Sequence, residues 1–306
     1  VCRRLIQADR RKSSSVVALA TRLGTSTTRL VLTTIGDNSS ANRLKCLALV
    51  QVNVTCMQKD AIYAEPLAQV QDFCFDATVA EVFPDMIQRS VPGYQTIVQT
   101  IGKLTARYQQ PNSNYYDLGC SLGAASLAMR RQLVDEQSKI IAVDNSPAMV
   151  ERCKMHLQAF RSAVPLDVRL ADIREVSIEN AAVVVSNFTL QFLPKQDRDA
   201  LVAKIYRGLK PGGIFILSEK IVVDEPHTHE LLIDLHHDFK RANGYSELEI
   251  SQKRTALENV MRPDTIVEHR QRFADAGFEL STLWFQCFNF CSMVAIKQPE
   301  PVHAAI

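Results

Sequence analysis

The chain has 306 residues, 46% of them apolar, and a formal net charge of +2. That length suits one large domain or two small ones, and the apolar fraction can fill a substantial core. No run approaches the roughly 20 apolar residues of a membrane span, and eight cysteines without a Cys-x-x-Cys pair read as reduced thiols, not as a disulfide framework.

The near-neutral total conceals two regions. Residues 1–56 carry nine Lys/Arg and two acids, net +7, whereas the rest carries 26 basic and 31 acidic residues, net −5. A slightly acidic body lacks the electrostatic footprint of a nucleic-acid binder, so no direct nucleic-acid contact is expected of it. The leader contains none of the chain's 12 prolines and no His, Phe, Tyr or Trp. Three readings fit it: a transit peptide, a basic tail on RNA, or over-extended translation from an upstream start. Met57 is the first methionine, which favours the third. Little stable structure is expected over 1–56, although 29–35 has strand propensity.

Residues 57–110 read as an arm with helices. An irregular segment over 59–75 precedes a short helix at 77–82, which Pro84 is expected to interrupt. Pro92-Gly93 marks a turn, and apolar residues at Ile97, Val98, Ile101 and Leu104 predict a helix over 94–108. From 111 to 298 strands and helices alternate. Strands are expected at 114–118, 139–144, 166–170, 182–187 and 213–219, with helices at 124–133, 147–161 and 195–209. Leu209-Lys210-Pro211-Gly212-Gly213 is read as a helix stop and turn. A last helix over 264–276 and two β runs, 280–287 and 289–296, close the sheet as a hairpin, and 299–306 is a tail. This is the rhythm of a mostly parallel α/β sheet, doubly wound, covered on both faces. A polar helical insert at 227–261 would lie over the carboxyl ends of the strands as a lid.

Candidate ligand groups fall at successive strand ends. The run Asp117-Leu118-Gly119-Cys120-Ser121-Leu122-Gly123 ends the first strand in an acid and a glycine turn, which lets backbone approach a ligand beside a helix N-terminus. It is not G-x-G-x-x-G, so a dinucleotide is a poor match. Asp144-Asn145 ends the second strand, where a carboxylate can accept from a ribose diol. Asp172-Ile173 ends the third, suited to the amine and a ring nitrogen of adenine, and Asn187 ends the fourth. Each alone reads as a loop cap; together they favour an adenosine site.

These residues, with Pro211-Gly212-Gly213, resemble class I S-adenosylmethionine-dependent methyltransferases, which implies a Rossmann-like seven-stranded sheet with an antiparallel C-terminal hairpin. The resemblance narrows at 79–94, ending Val91-Pro92-Gly93-Tyr94; at 236–254, with Asn243-Gly244-Tyr245 and Gln252-Lys253-Arg254; and at Leu283-Trp284-Phe285-Gln286-Cys287-Phe288-Asn289-Phe290. Over about 57–297 the chain is similar to the carboxy-S-adenosylmethionine synthase family. Cys291, where glycine is usual, and Ala77-Thr78 depart from its pattern.

The resemblance implies an enzyme that converts S-adenosylmethionine, as substrate, and prephenate to carboxy-S-adenosylmethionine and phenylpyruvate. It also implies a cytoplasmic homodimer, and a functional link to the tRNA carboxymethyltransferase that uses the product at wobble uridine. Carried over position by position, ligand contacts fall on Tyr94, Gly119, Cys120, Ser121, Asp144, Asn145, Asp172, Ile173, Asn187 and Arg254. Arg254 offers a planar fork for the new carboxylate, with the Tyr94 hydroxyl beside it, and these two carry the catalytic assignment. An ordinary methyltransferase acting on a small molecule or tRNA would share the same sheet, and a cofactor-binding accessory subunit is the non-enzymatic reading. No metal is expected: His227, His229, Glu230 and the pair His236-His237 lack a third ligand at convincing spacing. Nor is Cys120 expected to act as a nucleophile.

Overall fold

A computed structural model describes residues 15–23, 27–35 and 58–299. The chain divides into two units, 1–58 and 59–306. In the first, β1 (Ser15–Leu23) and β2 (Thr27–Ile35) pair antiparallel, with Ser15 opposite Ile35 and Leu23 opposite Thr27. The expectation of little structure therefore does not hold for these two segments. Both are rich in Val and Thr, which favour the extended backbone without needing an aromatic anchor. The rest of the leader, like 300–306 of the tail, lies outside the described residues.

The second unit begins with an irregular arm and two helices, α1 (Ala77–Ser90) and α2 (Tyr94–Tyr108). Asp76 caps α1 by accepting from the Val79 N–H at 2.8 Å. Pro84 lies inside α1 and does not end it. The ring removes one helical hydrogen bond, at a cost of about 3 kcal/mol. Against that, α1 buries Val79, Ala80, Val82 and Met86 in a cluster with Met149, so tertiary packing holds the helix through the proline.

The α/β rhythm follows as expected: β3 (Asn114–Leu118), α3 (Ala124–Arg130), β4 (Lys139–Asp144), α4 (Pro147–Gln158), β5 (Leu166–Leu170), β6 (Ala181–Asn187), α5 (Lys195–Gly208) and β7 (Leu209–Lys220). α3 and α4 each stop three residues early. The Arg130 guanidinium donates to the carbonyls of Leu157, Phe160 and Val164, satisfying the chain that leaves α4. The expected turn at 209–213 is instead the start of β7: Leu209 pairs with Ala181, and the register then shifts before Val183 meets Ile214. That bulge absorbs the proline and both glycines. The insert comprises α6 (Pro226–Ala242) and α7 (Glu247–Glu258), and α8 (Ile266–Ala276) leads into the hairpin of β8 (Leu280–Cys287) and β9 (Phe290–Ile296).

The seven strands lie in the order β5-β4-β3-β6-β7-β9-β8, with β3 to β7 parallel and the last two antiparallel. Strand order reverses between β3 and β6, which opens a crevice at their carboxyl ends. Residues 181–185 of β6 and 214–217 of β7 are buried on both faces, so each reads as a continuous apolar run. Phe215 of β7 meets Phe273 of α8 edge-on at 5.8 Å and Phe278 at 6.4 Å, anchoring one face of the core. Among the described residues no helix is long and apolar enough to cross a membrane. Phe273→Ala is expected to lower the unfolding free energy by about 3–5 kcal/mol in urea titration, as a cavity opens under the sheet.

Candidate active site

The first loop is built by backbone geometry. Gly119 has φ 80° and its N–H donates to the Val143 carbonyl at 2.8 Å; a Cβ there would lie 2.1 Å from Thr189 Oγ1. Glycine is required on both counts. At the end of β3, Asp117 is buried, and one of its oxygens accepts from the Ser126 N–H at 2.8 Å and the Ser126 hydroxyl at 2.6 Å. This satisfies a donor in the first turn of α3. Its other oxygen has no partner. Burial pushes its pKa up to about 6, opposed by the Ser126 hydrogen bonds and assisted by nearby Asp144.

Asp144 ties the next two loops together. It accepts from the Ser121 N–H and the Ser146 N–H, both at 2.9 Å. Each carboxylate oxygen retains a lone pair that can accept from a diol. Burial raises its pKa despite these bonds. Asp172 is less available, because Arg174 pairs with it at 2.6 Å and also reaches Asp197 at 2.6 Å. The Arg174 hydrogen bonds hold the Asp172 carboxyl below its usual range. At the tip of β6, Asn187 Oδ1 is buried without a partner. Beside it, Tyr94 opens α2 after Gly93, whose φ is 73°, and its ring lies 6.3 Å from Phe188. Burial pushes the Tyr94 phenol up, with Asp117 adding to the effect. The Cys120 thiol, 3.8 Å from Cys153 Sγ, is held protonated by that contact and by burial.

A cavity of about 810 Å³ brings together Tyr94, Gly119, Cys120, Ser121, Asp144, Asn145, Asp172, Ile173 and Asn187. Arg254 is the exception: it is exposed on α7 and does not line this cavity. Successive helix residues point about 100° apart, and here Lys253 takes the inward position. Burial lowers both Lys220 and His237, and the charge of Arg254 adds to it, at His237 after that of Lys240.

The cavity is roofed by the arm and the insert. Leu67 N–H donates to Gln252 Oε1 at 2.7 Å, and the Gln252 amide donates back to the carbonyls of Tyr63 and Glu65 at 3.1 and 2.8 Å. The Phe73 N–H donates to the Ala256 carbonyl at 2.9 Å. Deeper, Arg89 stacks on the Tyr245 ring at 3.9 Å, and the Tyr245 hydroxyl donates to Asp60. An insert over the strand ends was legible in sequence, but the arm's part in the roof was not.

Sequence reasoning also missed four groups on the cavity wall: Lys220, His236, Lys240 and Lys253. Three of them fall in the stretch 236–254, and His236 with Lys240 stand four apart on one helical face. Charged residues on a polar helix nevertheless read as a solvated face. His236 Nε2 lies 2.8 Å from the Ser90 carbonyl, which can only accept, so this nitrogen carries the proton and is not a metal ligand. Burial and the Lys240 charge push its pKa down to about 2, leaving the ring neutral. Among the described residues no group of three or more His, Cys, Asp or Glu could hold a metal ion.

Asp117 supplies a pH signature. Its folded pKa, about 6, exceeds the ordinary 3.8, so the folded state holds the extra proton between these values and loses stability as pH rises through them. The stability of the unliganded wild type relative to Asp117→Asn is expected to fall by on the order of 2 kcal/mol between pH 4 and 6. A pH-independent difference in urea titrations would contradict the buried-charge assignment.

Residues 116–213 match a model of a methyltransferase domain. The chain is 66% identical over 238 residues to the carboxy-S-adenosyl-L-methionine synthase of Vibrio campbellii, covering 78% of this chain and 97% of that protein. It is 66% identical over 239 residues to the protein of the same name from Vibrio cholerae, with the same coverage of each. Among solved structures, human N-acetylserotonin methyltransferase in complex with SAM is similar with a TM-score of 0.50 and 20% identity, over 72% of this chain and 55% of that one. At that identity the likeness speaks for the fold alone. Two-thirds identity along nearly the whole length of its relatives places the chain in the carboxy-S-adenosyl-L-methionine synthase family, enzymes built on the class I methyltransferase fold.

Proposed function

We propose that the enzyme converts S-adenosylmethionine and prephenate to carboxy-S-adenosylmethionine and phenylpyruvate. The product would be the carboxymethyl donor for a cytoplasmic tRNA carboxymethyltransferase acting on wobble uridine. The carrying observation is the cavity itself, which spans the reversal of strand order with acids on one side and lysines on the other.

The residues present fit S-adenosylmethionine. Asp117 Oδ1 and Asn187 Oδ1 are buried acceptors without partners, suited to the α-ammonium group. Asp144 keeps acceptor capacity for the ribose diol, and the glycine at 119 lets the loop backbone approach the nucleoside. Asp172 has to share its carboxylate with Arg174, which leaves the Ile173 N–H as the more available contact for the adenine ring.

When bound, S-adenosylmethionine supplies a sulfonium methyl group whose protons are acidified by the adjacent positive charge. Loss of carbon dioxide and hydroxide turns prephenate into phenylpyruvate. Hydroxide then removes one methyl proton as water, and carbon dioxide takes its place on carbon. The chain's contribution is to hold the two reactants together and keep out bulk water. The roof pinned through Gln252, Asp60 and Tyr245 suits that task. Arg254, exposed on α7, is proposed to meet the new carboxylate in a homodimeric assembly or after movement of the insert.

Incubation with S-adenosylmethionine and carboxyl-labelled prephenate, followed by mass analysis, tests this reading. The expected product is heavier than S-adenosylmethionine by one labelled carbon dioxide, and none forms without prephenate. An unlabelled carboxyl group would sink the route, and a methylated acceptor would point to ordinary methyl transfer. Arg254→Ala should weaken carboxy-S-adenosylmethionine at least about tenfold while S-adenosylmethionine changes little; equal losses would remove the assigned role.

A further inference from the structure

Three lysines reach the cavity from three different elements: Lys220 at the end of β7, Lys240 on α6 and Lys253 on α7. Lys240 and Lys253 are only 7% and 5% exposed. Lysine is almost never buried to that degree without a partner. Lys253 has one, since its ammonium lies 3.3 Å from Asp60 Oδ2 and 3.3 Å from Ser90 Oγ. Among the described residues neither Lys220 nor Lys240 has a carboxylate partner or a hydrogen-bond acceptor. Asp60 is already engaged by the Tyr245 hydroxyl and Lys253. Glu219, next to Lys220 in sequence, turns its carboxylate to the N–H groups of Leu190 and Gln191 at 3.0 and 2.9 Å.

Two ammonium groups thus face one cavity without an ion pair or hydrogen bond of their own, and Lys240 feels the Asp60 carboxylate only as a minor opposing charge. Burial together with the Arg254 charge pulls Lys220 down to about 8, and burial with repulsion from Lys253 and Lys220 pulls Lys240 down to about 7. Leaving cations desolvated and unpaired is costly, and an anionic ligand offsets that cost. The lysines belong to the β7 side of the strand-order reversal, whereas the nucleoside contacts at Gly119, Asp144 and Asp172 follow β3, β4 and β5. Apolar surface lies next to Lys220, which pairs with Phe290 across β7 and β9. Phe290 lines the cavity and packs edge-on against His236 at 4.8 Å, and His236 carries no charge of its own.

We propose that Lys220, Lys240 and Lys253 form an anion-binding subsite for the two carboxylates of the co-substrate, with its ring against Phe290. The identity of that co-substrate as prephenate rests on the proposed function; the requirement for a dianion rests on the lysines. Two unpaired cations match two carboxylates, and the third, held by Asp60 and Ser90, fixes the local geometry. The subsite sets the dicarboxylate beside the sulfonium end of the nucleoside, across Tyr94 and Asn187, and so serves as the specificity determinant for the second substrate.

The test separates binding from turnover. Prephenate is titrated calorimetrically into the full chain loaded with unreactive S-adenosylhomocysteine, for the wild type and for Lys220→Met and Lys240→Met. Each substitution is expected to weaken prephenate at least about tenfold, with the affinity for S-adenosylhomocysteine within about threefold of wild type. Melting temperatures should hold or rise, because an unpaired buried cation has been removed, and this reports folding independently. Lys253→Met is the harsher variant, since it strands Asp60. Prephenate affinity unchanged within about twofold in both variants would overturn the subsite. So would equal weakening of S-adenosylhomocysteine, which would assign the lysines to its own carboxylate. A wild type that binds prephenate through these lysines but does not turn it over would leave the subsite standing and remove the proposed reaction.

Discussion

The reversal of strand order between β3 and β6 is the constraint on which the rest of the molecule depends. Chain leaving β3 crosses to β4 and β5 on one side, and chain leaving β6 crosses to β7 on the other. Crossovers between parallel strands keep one hand, so the helices diverge at this point and cannot cover the strand ends between them. The crevice is therefore a consequence of topology. Every group that gathers in it does so because a strand ends there or because the arm and insert fold over it.

Charge is divided across that crevice. Asp117 and Asp144 stand on the β3–β4 side, while Lys220, Lys240 and Lys253 stand on the side of β7 and the insert. These groups do not neutralise one another; burial shifts the acids upward and the lysines downward. Such a site is electrostatically unsatisfied by itself and suited to ligands carrying both signs of charge. Elsewhere buried charge is matched, as in Arg198 with Asp264 at 2.6 Å.

The roof explains why residues far apart in sequence serve one space. Asp60 and Gln252 each reach groups nearly two hundred positions away, so the arm and α7 are tied directly to one another. Arg89 adds a third tie, donating to the Asp60 carbonyl at 3.1 Å and to the Asn243 carbonyl at 2.8 Å. This seam mixes polar and aromatic groups and satisfies most of them, Arg89 Nη2 being left without a hydrogen-bond partner.

The strand ends were legible from sequence because their signals are local. A glycine that must take positive φ, an acid closing a strand and a capped helix start each depend on a few neighbouring residues. Hence the parallel sheet, its C-terminal hairpin and nine of the cavity's residues could be read in advance. Pro84 inside α1 and the strand start at Leu209 went the other way, because packing and a bulge outweighed local propensity. The lysines were illegible for the same reason. Whether Lys253 or Arg254 faces inward is set by a rotation of about 100° on α7, and that rotation is fixed by Lys253 pairing with Asp60 of the arm and Gln252 gripping the arm's backbone. The sequence by itself determined where the backbone can bend and which side chains end each strand. Only the tertiary structure decided which cations enter the cavity and remain unpaired there, because burial and partnership arise from segments that meet only in the folded chain.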